Sequence, residues 1–386
     1  MPPKFYADLH LHSRFSLAVS PSLNLSVLAE WAIVKGIQLL GTGDFLHPRW
    51  RAELVAELEE AGEGVYRRRG DPRSTRFLLS AEVALRFVHN GRPRRIHGVL
   101  LAPSLAGATR IAGLASRWGK LSGDGRPTLA VEPAEFALAL WEVQPDALLI
   151  PAHVWTPHFG LLGSAAGFSS VAECFGPATP GILALETGLS ADPAMCARVA
   201  SLSRFTWLSF SDAHSGPALG REATRFASAC SYPAIARTIR SGGGVDTVEF
   251  FPEEGKYYLD GHRRCRVALT PAQAEEAGGR CPACGRKLRP GVLHRVADLA
   301  GPPGAVAPPF RSLVPLASIV AELFGRTPAC RSVAWRSREL GLAFGGELPL
   351  LLDVPLSDIA AVDGELAERI GRMRRGEVER TPGYDG

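Results

Sequence analysis

Over roughly the first 245 residues, short apolar runs alternate with stretches in which apolar residues recur every three or four positions. The runs at Phe5–Leu9, Ile37–Leu40, Phe77–Val83, Ile96–Ala102, Ala147–Pro151, Ile182–Leu185 and Thr206–Phe210 read as buried strands. Helical periods predict helices near 106–119, 132–142 and 192–203. Another carries Leu25, Leu28, Ala29 and Ala32, with Ser22 or Asn24 placed to cap it and Gly36 to end it. Uninterrupted apolar strands favour a parallel sheet covered on both faces. Strand after strand also delivers a polar, metal-capable residue at or just past its C-terminal end. That is where a β/α barrel builds its active site, so the pattern favours a barrel-like α/β domain over a doubly wound sheet.

Near residue 245 the pattern changes. Glu249–Gly261 is aromatic and polar, and Pro271–Gly278 reads as a short helix flanked by Cys and His pairs. Gly301–Pro309 is a stiff, proline-rich linker. Leu316–Phe324 and Ser357–Arg375 read as helices, with apolar Gly345–Val354 between them. The expected organisation is a catalytic barrel over 1–248, a metal-binding module over 249–300 and a mainly helical domain over 301–386. A chain of 386 residues exceeds one ordinary core, which agrees with several domains.

Composition is that of a soluble globular protein, 46% hydrophobic and 21% charged. No run of apolar residues is long enough for a membrane helix, and the N-terminus lacks a signal-peptide pattern, so a membrane partner is not expected. Seven cysteines without a disulfide framework point to reduced thiols in the cytoplasm. Basic charge is almost all arginine and nets only +4, so a nucleic-acid surface depends on clusters. Such clusters occur at Arg67–Arg69, Arg92–Arg95, Arg263–Arg264 and Arg372–Arg375.

The candidate chemistry begins with His10 and His12. Spaced i, i+2 at a strand end, their rings face one point. Asp44, His47, Glu82, His97, His153, Asp212 and His214 fall at other strand ends. Mixed imidazole and carboxylate ligands suit two or three divalent cations such as Zn²⁺, Mn²⁺ or Mg²⁺. Paired cations clamp a phosphate, acidify a water and stabilise a leaving oxygen, which makes phosphoester hydrolysis the reading of this ligand set. Separately, His262-x2-Cys265 and Cys281-x2-Cys284 form two pairs suited to one tetrahedral structural zinc, with His294 a rival to His262. Arginines and a lysine around that module suit phosphate contacts. Cys174, Cys196, Cys230 and Cys330 read as packing residues.

The His10-x-His12 pair, Gly43-Asp-Phe-Leu-His-Pro48, Glu82, His97, Pro151-Ala-His153 and Ser211-Asp-Ala-His214 resemble the PHP (polymerase and histidinol phosphatase) family. Trp155-Thr-Pro157, Glu186-Thr-Gly-Leu189, Leu219–Thr224 and Gly291–Val296 narrow this to the endonuclease Q group, and the resemblance spans nearly the whole chain. It implies a distorted β/α barrel with three metals. Glu82 bridges two of them; His10, His12 and Asp212 complete one site, and His97 and His153 the second. His47, His214 and Asp44 form the third. The chain departs from many PHP proteins in having Phe45 after Asp44, with His47 two residues on. His158 is read as a rim residue.

The implied activity is nicking of DNA 5′ to deaminated bases (uracil, hypoxanthine, xanthine) or abasic sites, with Asp212, Glu82, His10 and His12 carrying catalysis. The damaged base is expected to leave the stack, with Tyr257, Tyr258 and Trp335 as candidate stacking aromatics that equally suit a core. The alternatives are a PHP phosphatase acting on a small phosphoester and a catalytically inactive DNA-binding protein. Damaged DNA is the expected partner. The sequence is silent on a sliding clamp, and relatives are expected to continue beyond Gly386.

Overall fold

The structure is a computed structural model, and it describes residues 3–71, 75–301 and 306–385. The centre of the linker expected over 301–309 and the terminal Gly386 lie outside the described residues. Eleven strands form one mixed sheet. Lys4–Asp8 is its middle, pairing in parallel with Leu39–Gly41 and antiparallel with Ala223–Ala227. Leu39–Gly41 pairs in parallel with the long strand Arg76–His89. That strand turns back through Asn90–Gly91 into antiparallel Arg92–Ala102, which in turn pairs with Leu148–Pro151. A separate parallel pair, Ala184–Glu186 with Thr206–Leu208, continues the circuit.

No strand ladder joins this pair to its neighbours among the described residues, and isolated hydrogen bonds span the gaps. The Val154 N–H donates to the Glu186 carbonyl at 3.0 Å, and the Ser209 N–H donates to Thr224 Oγ1 at 3.0 Å. The result is a distorted α/β barrel. The parallel expectation holds from Lys4–Asp8 through Leu39–Gly41 to Arg76–His89, and again within the separate pair. It fails at Arg92–Ala102 and Ala223–Ala227, which run in reverse. The physical reason for the first reversal is the tight turn: Asn90 and Gly91 have φ of 50° and 70°, the two left-handed residues a two-residue hairpin needs.

The first helix, Leu25–Lys35, begins at Asn24, whose side chain accepts from the Val27 N–H at 3.0 Å. It ends at Gly36, φ 72°, where the amide donates to the carbonyls of Ala32 and Ile33. Such an N-terminal cap is worth about 1 kcal/mol. Pro48–Glu57, Tyr232–Ser241 and Arg331–Ala343 are further helices that the apolar pattern does not predict. The long helix expected over 357–375 is two, Leu356–Ala360 and Gly364–Arg374, divided where Asp363 caps the second by accepting from the Leu366 N–H.

Residues beyond the linker are bound into the barrel. Phe310–Leu313 pairs in parallel with Val245–Phe250 and adds an edge strand. Lys35 Nζ lies 2.6 Å from Glu347 Oε2, and both residues are buried. The other Glu347 oxygen accepts from the Leu316 N–H at 3.1 Å. Arg311 bonds to both Tyr6 Oη and Asp353, which tethers the same helices to the first strand. Among the described residues, no helix is long and apolar enough to cross a membrane.

Candidate metal centre

Glu82 is the hinge of the site. It is buried midway along Arg76–His89, and its two oxygens face different histidine groups. Oε2 lies 3.4 Å from His10 Nε2 and 3.2 Å from His12 Nε2, and Asp212 Oδ1 is 3.1 Å from the latter. Oε1 lies 2.6 Å from His97 Nδ1 and 3.3 Å from His153 Nε2. The ligand atoms of His10, His12, Glu82 and Asp212 form one group within metal-binding reach, and those of Glu82, His97 and His153 another.

Local structure explains the convergence. His10 and His12 leave the first strand two residues apart and share a face. The Ser211 N–H donates to Asp8 Oδ1, and the His12 N–H to the Ala213 carbonyl, so the segment holding Asp212 is pinned beside that strand end. His97 lies within its strand, not at its end. It pairs with Ala84, two residues past Glu82 and on the same face, which makes it a diagonal neighbour of the carboxylate. Asp44, His153 and Asp212 all have positive φ, at 48°, 30° and 47°. Each such backbone costs on the order of 1–3 kcal/mol and persists where its surroundings over-determine it.

The donor chemistry fits metal ions. His10 Nε2 and His97 Nδ1, the atoms these rings turn toward Glu82, are buried without a hydrogen-bond partner. The 2.6 Å approach of His97 Nδ1 to Glu82 is thus a contact without hydrogen-bond alignment. Buried polar atoms left unpaired are costly unless they meet something else, and lone pairs aimed into a shared space meet a cation well. Charge agrees. Burial opposes ionisation of Glu82, yet His97 and His10 hold its carboxyl well below the usual range. Burial likewise disfavours charge on His10, but Glu186, Glu82 and Asp212 overcome it and raise that imidazole well above its ordinary value. This is a place that demands positive charge.

The third group expected from the resemblance is not assembled among the described residues. Asp44 spends one oxygen on His12 Nδ1 at 3.1 Å and the other on Ser13 N, Ser13 Oγ and Ser16 Oγ. Its contacts run to the far side of the His12 ring from Glu82, where it can orient that ligand. His47 caps Pro48–Glu57, Nδ1 facing the Trp50 N–H at 3.4 Å, and its ring stacks on Phe15 at 4.4 Å. His214 points Nδ1 at the Asp212 carbonyl, 2.9 Å away, with its ring 4.5 Å from His12.

Two residues to which the sequence pattern assigns no role complete the site. Glu186 meets His10 Nδ1 at 2.9 Å and accepts from the His153 N–H at 2.7 Å. It ends an apolar run, the signal that marks the other candidates. Arg126 Nη1 donates to Glu82 Oε2 at 3.1 Å. Beside the cluster is a cavity of about 510 Å³, lined by His97, His153, Asp212, Phe159, Phe210 and Tyr257 among others. Tyr258 packs on the core, Trp335 is 66% exposed, and His158 is exposed outside both groups.

At the far end of the chain, His262, Cys265, Cys281 and Cys284 converge within metal-binding reach. His294 is not a member of this group; its Nδ1 meets Asp260 Oδ2 at 2.5 Å. The module's own core consists of Ala274, Cys281 and Leu288, with Cys265, Val267 and Leu269 against it. So small a core gains most from an internal cross-link. Cys174 and Cys196 are buried, Cys196 Sγ accepting from Trp155 Nε1, while Cys230 and Cys330 are partly buried.

The chain is similar to proteins of known structure along its whole length. The crystal structure of the lesion-specific endonuclease PfuEndoQ from Pyrococcus furiosus superposes with a TM-score of 0.88 at 31% identity, over 99% of this chain and 93% of that one. An endonuclease Q complex with a 27-mer duplex bearing an abasic lesion at the active site gives 0.86 at 31% identity, over 99% and 94%. The uncharacterized protein YqxK of Bacillus subtilis is 30% identical over 99% of this chain and 98% of its own. Residues 315–377 match the family described as the MJ0043 C-terminal domain. With a metal-capable cluster on a distorted α/β barrel, the chain belongs to the endonuclease Q family of PHP-domain, metal-dependent hydrolases acting on ester bonds.

Proposed function

We propose that this protein is a DNA repair endonuclease that nicks the phosphodiester 5′ to a deaminated base or an abasic site. The observation that carries the reading is Glu82, whose separate oxygens face two ligand groups inside one buried cluster. His10, His12 and Asp212 would hold one divalent cation and His97 and His153 a second, with Glu82 within reach of both groups. Bound cations supply the positive charge that lets water approach a phosphodiester anion. The protein's own residues do the rest: Glu186 fixes the His10 ring, Asp44 fixes His12, and Asp212 and Glu82 keep the cluster anionic.

The cavity of about 510 Å³ next to Asp212 has the size and the mixed aromatic and polar lining to receive a base turned out of the duplex. Tyr257 is the stacking candidate that lines it. In this reading residues 1–248 form the catalytic unit. A zinc-bound module over 249–300 and the helical part over 301–386 grip the strands on either side, through phosphates. The neighbour solved with abasic DNA, at the same coverage and identity, supports the substrate class.

The test is a nicking assay on labelled duplexes containing deoxyuridine, deoxyinosine or an abasic site, with Mn²⁺, Mg²⁺ or Zn²⁺. A generic phosphomonoester and an undamaged duplex run alongside. Cuts 5′ to the lesion support the reading, and turnover of the monoester alone defeats it.

A further inference from the structure

The loop before Thr128 brings a guanidinium to the metal cluster. Arg126 Nη1 donates to Glu82 Oε2 at 3.1 Å, one of the five N–H donors a guanidinium carries. The side chain keeps 28% exposure and lines the cavity with Asp212, His97, His153 and His214. Arg221 lines it too, but is committed to the backbone: its Nε donates to the Ser211 carbonyl at 2.8 Å and its Nη2 reaches the Asp212 carbonyl at 3.4 Å. Arg126 thus differs from its neighbour in being joined to the ligand carboxylate rather than to the backbone, with one donor engaged where Arg221 engages two.

Its position is fixed from both sides. Downstream, Thr128 pairs with Ala84, and the Ala84 N–H donates to the Pro127 carbonyl at 3.0 Å, so Arg126 is held to the strand that carries Glu82. Upstream, the Gly125 N–H donates to the Phe15 carbonyl at 2.9 Å, and Asp124 Oδ1 accepts from Leu17 N and Arg126 N. Gly125 approaches so closely that a Cβ there would collide with Asp44 Oδ2 and Ser16 Oγ. The loop is therefore clipped to the segment that orients His12. A guanidinium that is rigid before substrate arrives loses little freedom on binding a phosphate, and its planar fork matches two oxygens.

We propose that Arg126 is a catalytic residue of this site, donating to a non-bridging oxygen of the phosphodiester being cut. The proposal rests on the endonuclease reading given above. In the reaction the oxygen of water bonds to phosphorus and the bond from phosphorus to the departing sugar oxygen breaks. One proton of that water ends on the departing oxygen and the other remains on the new hydroxyl or passes to solvent. Arg126 keeps all its protons and stabilises the charge that grows on the equatorial oxygens.

The experiment compares wild type, Arg126→Gln and Arg126→Lys on an abasic-site duplex, with metal content measured for each. Arg126→Gln is expected to nick about 100-fold more slowly at saturating DNA. Arg126→Lys falls between, and all three retain equal metal. A binding cycle in Ca²⁺ then uses a duplex with a neutral methylphosphonate at the scissile linkage. Wild type loses affinity when that charge is removed, and the loss shrinks at least fivefold in Arg126→Gln. A merely structural arginine does not change that ratio. Nicking within threefold of wild type, an unchanged ratio, or a rate loss that tracks missing metal overturns the proposal alone. A wild-type protein that nicks no lesion duplex overturns it together with the reading on which it rests.

Discussion

Glu186 Oε1 lies 2.9 Å from His10 Nδ1, while Oε2 of the same carboxylate accepts from the His153 amide at 2.7 Å. One buried acid therefore sets the ring of a residue in the first ligand group and the backbone of a residue in the second. Carboxylates that hold a ligating imidazole this way fix its tautomer and raise its basicity.

Replacing Glu186 by Gln keeps the shape and removes the charge. The expected outcome is metal affinity lower by about 10–100-fold, with little change in thermal stability of the metal-free protein. Isothermal titration with Mn²⁺ measures the first and a melting curve the second. Unchanged affinity would show that Glu186 is a bystander.

Asp44 makes the parallel case for His12, and it can be separated from the third-metal role. Asp44→Asn still accepts from Ser13 and Ser16 but no longer offers a charge to His12. Weakened binding at the His10–His12 site, with the total number of tightly bound ions unchanged, is the outcome the geometry implies. Elemental analysis that finds one ion fewer would return Asp44 to the ligands.

A second buried acidic pair gives a pH prediction away from the metals. Burial pushes the Glu249 carboxyl up to about 8, against bonds from Ser209 and Thr187 that favour its charge, and Glu222 beside it is also well above its usual range. The folded state then binds a proton that the unfolded state gives up near 4.5. Stability is lost as pH rises from that value through about 8, and is level above it. Glu249→Gln cannot ionise, so its melting temperature relative to wild type should be higher at pH 8.5 than at pH 5, by on the order of a few °C. A constant difference across that range contradicts the shift.

The buried pair Lys35–Glu347 fastens the helices at 316–374 to the barrel. Removing one partner leaves the other charge buried, which costs about 3–5 kcal/mol. Glu347→Ala should lower the denaturation midpoint strongly, and Lys35→Met with Glu347→Leu should recover most of the loss. A Glu347→Ala protein as stable as wild type shows the contact to be dispensable.

Cys281→Ser tests the four-residue cluster of His262, Cys265, Cys281 and Cys284. Its small core predicts that the substitution removes one zinc per chain and weakens duplex binding, while the catalytic cluster keeps its metals. Zinc content equal to wild type would rule the cluster out as a metal site.

Much of the site is legible in the order of the amino acids alone. Strands that lead into His10, His12, His153 and Asp212 advertise themselves, because side-chain period and apolar composition mark their burial and the residues that follow. Asn24 and Gly36 likewise mark a helix by local chemistry. The reversed direction of the strand that carries His97 escapes a reading by apolar continuity, although Asn90-Gly91 announces a two-residue hairpin to one that weighs turn chemistry. Pro48 at the first turn with His47 before it signals a helix start, which explains why His47 is occupied as a cap. Asp44 cannot be sorted from sequence, since a ligand and a residue that orients a ligand look alike there. Arg126 is out of reach for another reason. It sits in an aperiodic loop, and only the pairing of Thr128 with Ala84 brings it to Glu82.

The most direct single measurement is cleavage-site mapping of a deoxyuridine duplex by wild type and Asp212→Asn, at equal protein and Mn²⁺. Wild type should give one product ending at the phosphodiester 5′ to the lesion, and Asp212→Asn should give roughly 100-fold less, or lower still, while binding the duplex. Equal nicking by both proteins, or cuts scattered without regard to the lesion, contradicts the assignment of this cluster to lesion-directed hydrolysis.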